Sequence, residues 1–555
     1  MKPLSSLVFL LLLIGLAPGI ALSQEVTFDR LLKADNDPNN WITYYRNYQG
    51  WRFSPLTQIN TANVKKLVPK WTFQTGPDQG FQVSPLVADG VMYITSALNN
   101  VFALDAETGK MLWRYNYENP EDMPSKIWGK MHRGVTISRG KLFMGTMDAH
   151  LIALDAQTGK LLWKAKVGDY SEGQGITNPP LIVKDKAIIG VSTLEFPTRG
   201  SISAYSVDTG EQLWRFYTIP GPGEPGNESW LGDSWKTGGG GVWLPPSYDP
   251  ELNLIYFGTG NSHPMYYGSD RRGDNLYTAS IIATDPDTGK MKWYFQVVPH
   301  DVWDYDSMNE TILADVEIGG RMVKALFQAN KNGYLYALDR TNGHFLYAKP
   351  FISRINWTKG IDAQGRPIVG LVPTADGISQ CPSLFGAKSF NHMSYNPLTR
   401  HFYVPAMDMC NKATSVKAPE SKKGIVNLGG DFLFQGEGAY GVLEAVDAQT
   451  GDIKWQHRTK YPLFSSALST AGGLVFTGDV EGDFMAVDAR TGERLWHFRT
   501  SSGHRGSAIS YAVGGKQYIA VPAGWGGVVG LLAQAFPELK DLNTGSTLFV
   551  FGLPD

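Results

Sequence analysis

The sequence predicts an all-β chain, an eight-bladed β-propeller, on three observations: a hairpin pattern that recurs, the spacing of its copies, and the alternating apolar runs on either side of each turn. The copies are FALDAETGKMLW ending at Trp113, IALDAQTGKLLW at Trp163, SAYSVDTGEQLW at Trp214, IATDPDTGKMKW at Trp293, EAVDAQTGDIKW at Trp455 and MAVDARTGERLW at Trp496. YALDRTNGHFLY, ending at Tyr347, is a weaker copy, and KKLVPKW, ending at Trp71, keeps only the tail. Eight units result.

In each unit an apolar run leads into a turn carrying Asp, Thr and Gly, and a second run ends in an aromatic residue. The glycine supplies the positive φ of the turn, and the aromatic offers a large flat surface to the neighbouring unit. Most copies lie 41 to 54 residues apart, the size of a four-stranded blade. Two intervals are longer, 79 residues from Trp214 to Trp293 and 108 from Tyr347 to Trp455. A blade needs only about 40–50 residues, so insertions are expected at about 215–280 and 350–440. The first contains IPGPGEPGNESWLGDSWKTGGGGVW, and such excursions from a regular scaffold are where function concentrates. Its GGGG is either a flexible loop or a place where backbone approaches a ligand closely.

Soon afterwards comes DVWDYD, residues 301–306. If this stretch is extended, Asp304 and Asp306 lie on one side and Trp303 and Tyr305 on the other. Two carboxylates so placed repel each other unless a cation sits between them.

A formal charge of −2 and a pI near 6.6, with no Lys/Arg run, argue against a nucleic-acid partner. The first residues, MKPLSSLVFLLLLIGLAPGIALSQE, read as a signal peptide over 1–23 with the mature chain, 24–555, starting near Gln24. Pro18 and Gly19 interrupt the apolar run, and no later stretch reaches the roughly 20 apolar residues of a membrane span. The expectation is an exported protein without a span. In an oxidising compartment the two cysteines, Cys381 and Cys410, form one disulfide or remain two buried thiols. Neither lies in a CxxCH, so no c-type haem is attached.

The repeat A-x-D-x-x-T-G-x-x-x-W in eight blades resembles the tryptophan-docking motif of the pyrroloquinoline quinone (PQQ) dehydrogenases. The resemblance extends to SPLTQINTANVKKLVPKW, to GTGN at 258–261, to PHDVWDYD at 299–306 and to the final TLFVFGLP. It implies a periplasmic alcohol dehydrogenase that passes hydride from an alcohol to metal-bound PQQ and electrons on to a separate cytochrome c. It admits a homodimer, and leaves the alcohol open.

By the same resemblance Glu195 in STLEFPTRG, Asn261 in GTGN and Asp304 are metal ligands, and Asp304 is also the catalytic base. Trp243 in GGGGVW is the ring under the quinone. Arg133, Thr177, Ser192 and Lys331 hold the quinone's carboxylates and carbonyls, with Gln82 close by. The Cys381–Cys410 pair is retained as a structural disulfide. Asp306 marks the lanthanide-dependent branch, where calcium enzymes carry a small residue, so a lanthanide(III) ion is expected and Ca2+ is the alternative. An all-oxygen donor set suits either hard cation and disfavours zinc or copper. His300 and Asp301 are read as turn or supporting residues.

The chain also departs from that family. The adjacent cysteines that form a ring above the quinone are missing, the corresponding stretch KIWGKMHRG offering Ile127 and Trp128, or their neighbours under a shifted alignment of the loop. Gln82 replaces a glutamate, and Phe464-Ser465-Ser466 replaces Trp-Gly-Gly. The rival reading is an exported, non-catalytic propeller scaffold, which would have no need of Glu195, Asn261, Asp304 and Asp306 together.

Overall fold

The computed structural model describes residues 25–76, 80–123, 130–193, 195–417 and 421–555, and the backbone alone at Val528. The expected signal peptide and the Ile127-Trp128 stretch lie outside the described residues. Among the described residues no helix is long and apolar enough to cross a membrane.

Strands dominate, and the described residues form eight sheets of four or five strands plus one two-stranded ribbon. The first full sheet runs antiparallel through Leu86–Ala88, Val91–Ser96, Asn100–Asp105 and Met111–Tyr115. Four further sheets, from Thr136–Ser138 onward to His344–Pro350, repeat this meander in chain order. The last sheet is built from both ends of the chain: Thr547–Gly552 pairs on one side with Lys516–Ala523 and on the other with Val68–Gln74. That pairing closes the propeller without leaving an open edge between first and last blades.

The repeat works as an inter-blade joint. In the first full sheet Asp105 Oδ1 accepts from the Thr108 amide and hydroxyl, both at 2.8 Å, and Gly109, at φ +74°, completes the turn. The face of each glycine lies under the aromatic of the preceding unit: a Cβ on Gly159 would stand 2.5 Å from the Trp113 ring, and one on Gly492 2.5 Å from Trp455. Indole N–H groups then reach the next blade's turn, Trp113 Nε1 to the Ala156 carbonyl at 3.2 Å and Trp214 Nε1 to the Pro286 carbonyl at 2.9 Å. Tyr347, the weaker copy, makes the same contact through its hydroxyl, to the Ala448 carbonyl at 2.9 Å. Gly159→Ala therefore combines a left-handed φ with a ring clash, and should cost about 1–3 kcal/mol of stability in chemical denaturation.

The long intervals resolve into several excursions. Between Trp214 and Trp293 the chain leaves the blades twice, over 218–246 between sheets and over 259–279 between Leu254–Gly258 and Ser280–Thr284. Between Tyr347 and Trp455 it forms the ribbon Thr358–Ile361 with Pro367–Val369 and then two unusually long strands, His401–Ala413 and Phe432–Asp447. Cys381 and Cys410 are disulfide-bonded within this region, 29 residues apart. A loop of that size contributes on the order of 3–4 kcal/mol by the chain-entropy argument.

Candidate functional site

The topology decides which end of the propeller carries chemistry. In a four-stranded antiparallel meander, the start of the first strand and the turn between the second and third strands share one end. Arg133, Thr177, Trp243, Asp304 and Asp306 precede first strands, whereas Ser192, Glu195, Asn261 and Lys331 lie between second and third strands. All nine come to that end and line one cavity. The Asp-Thr-Gly turns, between third and fourth strands, lie at the other.

Backbone bonds tie the first-strand approaches of successive blades together. Ser507 N donates to the Val83 carbonyl at 3.0 Å, Ser84 N to Arg133 at 2.9 Å, and Arg133 N to Thr177 at 3.0 Å. Gln82 sits inside this chain of contacts, buried, but does not line the cavity. The four glycines 238–241 are packed rather than loose. A Cβ on Gly239 would meet the Asn261 carbonyl at 2.7 Å, and one on Gly241 the Thr193 amide at 2.7 Å. Glycine is required there so that the segment leading to Trp243 can lie against GTGN.

DVWDYD is not extended. Asp304 has φ +69°, and the loop is clamped by the Asp301 carboxylate, which accepts from the Trp303 and Tyr305 amides, each at 2.9 Å. The premise of an extended strand is therefore corrected, because a side chain replaces the sheet partner of that backbone. Its consequence survives by another route. Asp304 and Asp306 both face Lys331, whose Nζ is 3.2 Å and 3.5 Å from them, while Trp303 and Tyr305 stack at 6.2 Å and pack against Trp357. His300 Nδ1 lies 2.8 Å from the Gly273 carbonyl, a turn contact.

Asp306 Oδ1 also accepts from the Asn261 amide at 2.5 Å, and the Asn261 side-chain amide donates to Glu195 Oε2 at 3.0 Å. Glu195, Asn261, Asp304, Asp306 and Lys331 thus form one contact network. Burial lifts the Glu195 carboxyl to about 7, with the Asp306 charge adding to the effect. Burial likewise lifts Asp304 well above the ordinary carboxylate range, against the opposing pull of Lys331, and lifts Asp301 to about 6. At Lys331 burial works the other way but is outweighed by Asp304 and Asp306, so its ammonium is reinforced.

Among the described residues no three His, Cys, Asp or Glu side chains are drawn together as a metal cage. The donor chemistry nevertheless fits a hard cation. Glu195, Asp304 and Asp306 offer carboxylate oxygen and Asn261 an amide oxygen, and the two buried carboxylates of Asp304 and Asp306 share a single ammonium, with Glu195 joined to them through Asn261. The surroundings also fit a flat polyanion. Trp243 lines the cavity with Arg133 over its ring, guanidinium carbon 5.1 Å from the centroid. Arg133 Nη1 donates to Thr177 Oγ1. Arg133 Nε, Ser192 Oγ and both amide atoms of Gln82 are buried without a hydrogen-bond partner. Buried polar atoms left unpaired are costly, and a ligand rich in carboxylate and carbonyl oxygen would satisfy most of them.

Sequence reasoning did not find the opposite wall. Met131, Met265, Leu384, Phe385, Leu428, Phe432 and Leu531 line it, mostly from excursions outside the repeat. Phe385 stacks on Phe434 at 4.7 Å and meets Phe464 edge-on at 5.5 Å, so Phe464 of the altered Phe-Ser-Ser segment belongs to this apolar layer.

Comparison with known proteins finds relatives along nearly the whole chain. Residues 41–348 match the profile described as glucose/ethanol/alcohol dehydrogenase, beta-propeller domain. Residues 407–535 match one described as outer membrane protein assembly factor BamB. The chain belongs to the PQQ-dependent alcohol and methanol dehydrogenases and is an oxidoreductase of that family. It is 40% identical to the quinoprotein alcohol dehydrogenase PedH of Pseudomonas putida, over 99% of this chain and 96% of that one. It is 37% identical to the lanthanide-dependent methanol dehydrogenase of Methylacidiphilum fumariolicum, over 98% and 95%. A solved europium-containing methanol dehydrogenase superposes with a TM-score of 0.90 at 36% identity, covering 95% of this chain and all of the other.

Proposed function

We propose that this protein oxidises an apolar alcohol to its aldehyde or ketone with PQQ held over Trp243 and a lanthanide(III) ion held by Glu195, Asn261, Asp304 and Asp306. The observation that carries the reading is the convergence of those four oxygen-bearing side chains and Lys331 on one cavity beside Trp243. Similarity to a lanthanide-dependent methanol dehydrogenase and to a europium-containing one supports the choice of ion. When bound, PQQ with its ion supplies the hydride acceptor.

The chain's own residues do the rest. Asp304 takes the hydroxyl proton of the alcohol as the C–H hydrogen leaves. Lys331 favours the ionised form of Asp304 and neutralises part of the carboxylate charge. Arg133, Thr177 and Ser192 meet the cofactor's polar edge, with Gln82 behind them. The apolar wall keeps water from the reacting hydroxyl and receives the hydrocarbon part of the substrate.

Leader removal near Gln24 would place the enzyme in the periplasm, with a soluble cytochrome c as electron acceptor. Apoprotein loaded with PQQ and LaCl3 or CaCl2 and assayed for dye reduction across an alcohol panel tests the reading. Absence of turnover with either ion, together with no quinone absorbance in the loaded protein, would sink it. The wall makes a finer prediction. Each methylene buried there is worth about 0.8 kcal/mol, roughly fourfold, so kcat/KM should climb at least tenfold from methanol to butanol. A flat or falling series would reject the assignment of Phe385 and Phe432 to substrate binding.

A further inference from the structure

Arg133 and Arg505 are both buried at the site end of the propeller, and neither has a carboxylate partner among the described residues. Arg505 Nη1 donates to the Gly526 carbonyl, but its Nε and Nη2 have no hydrogen-bond partner, like Nε of Arg133. The two guanidinium groups flank a single ring, Arg133 at 5.7 Å and Arg505 at 5.6 Å from the Phe390 centroid.

Their positions follow from the blade topology. Arg505 precedes Ile509–Val513, the first strand of the closing sheet, as Arg133 precedes Thr136–Ser138. Between them runs the segment holding Gln82, joined to one side by Ser507 N to the Val83 carbonyl and to the other by Ser84 N to the Arg133 carbonyl. Gly80 leaves room for the Arg505 head, since a Cβ there would collide with Nη1. Gln82 is neutral and its amide is itself unpartnered, so nothing in this group answers two buried positive charges. Such charges persist when a counter-anion completes the site. The unpaired Nε and Nη2 of Arg505 form one guanidinium fork of the kind that suits a carboxylate, with the unpaired Nε of Arg133 on the second group.

We propose that Arg505 is a cofactor-binding residue: set beside Gln82 just behind the cavity lining, it joins the cavity-lining Arg133 in holding the carboxylate edge of PQQ, giving this chain two arginines from different blades at that edge in addition to Lys331 at the metal side. The proposal rests on the functional reading above. It gives Arg505, which lies in no repeat, a share of the trianion's charge.

The test is PQQ binding to full-length apoprotein in the presence of LaCl3, followed by quenching of tryptophan fluorescence, for the unaltered chain, Arg505→Met and Arg505→Lys. PQQ trimethyl ester, which carries no carboxylate, is measured in parallel, as are the thermal midpoints of the apoproteins. Arg505→Met should weaken PQQ binding at least tenfold and Arg505→Lys by less. Ester binding should stay within twofold, and the Arg505→Met apoprotein should melt no lower than the unaltered one, because an unpaired buried charge has been removed. PQQ binding by Arg505→Met within twofold of the unaltered chain overturns the proposal, including the case where only the KM of an anionic alcohol rises. Equal losses for PQQ and its ester, with lowered midpoints for both variants, also overturn it in favour of a purely structural arginine. Failure of the unaltered apoprotein to bind PQQ at all is a different result: it rejects the functional reading itself.

Discussion

Asp304→Asn should reduce alcohol turnover by about 10²–10⁴-fold, the range that a positioned general base supplies, while leaving the fold and PQQ binding nearly intact. Asparagine matches aspartate in shape but cannot accept the hydroxyl proton. The local structure gives no reason for collapse, because the loop is held by the Asp301 carboxylate on the Trp303 and Tyr305 amides and not by Asp304. Lys331 loses its partner at 3.2 Å but keeps Asp306 at 3.5 Å. Single-turnover bleaching of bound quinone by alcohol isolates the chemical step from electron transfer to the acceptor. Retention of more than a tenth of the normal single-turnover rate, with metal and PQQ both bound, would remove Asp304 from the role of base.

What was legible beforehand divides along a physical line. The Asp-Thr-Gly turn and its tryptophan could be read because each copy is locally determined: the Asp105 carboxylate satisfies the turn amides, and Gly109 takes the left-handed φ. Repetition then located the blades. The cavity's polar side was legible through resemblance, since Glu195, Asn261, Asp304, Asp306, Trp243 and Lys331 stand in short recognisable segments and all line it. The conformation of DVWDYD was not. It depends on Asp301 reaching forward to two amides, a choice that period-2 reasoning does not contain. The apolar wall was also hidden, because Leu384, Phe385, Leu428, Phe432 and Leu531 come from segments that answer to no repeat and meet only in three dimensions. Arg505 escaped for a related reason: a lone arginine in SSGHRGSAIS has no pattern, and only its burial without an acid sets it apart.

Asp306→Ala should abolish lanthanide-supported activity selectively. Asp306 is doubly tied into the site, accepting from the Asn261 amide at 2.5 Å and facing Lys331 at 3.5 Å. Its removal therefore costs a charge and a positioning bond together, and Asp306→Asn, which keeps an acceptor oxygen but no charge, separates the two. With an effective dielectric near 20 and a separation of about 4 Å, one unit of charge is worth about 4 kcal/mol against another. Losing the carboxylate consequently penalises a trivalent ion by that much more than a divalent one. Solvent relaxation reduces the difference, and a selectivity change of about 10²–10³-fold is expected, since each 1.4 kcal/mol is tenfold. Measured as the ratio of La3+- to Ca2+-supported turnover and as competition between the ions for PQQ-loaded protein, both variants should shift toward calcium, Asp306→Asn without disturbing the Asn261 backbone. If the two ions lose affinity in equal proportion, Asp306 is a positioning residue for Asn261 and does not choose the metal. If calcium is preferred before any substitution, the lanthanide assignment itself falls, while the base role of Asp304 stands on its own test.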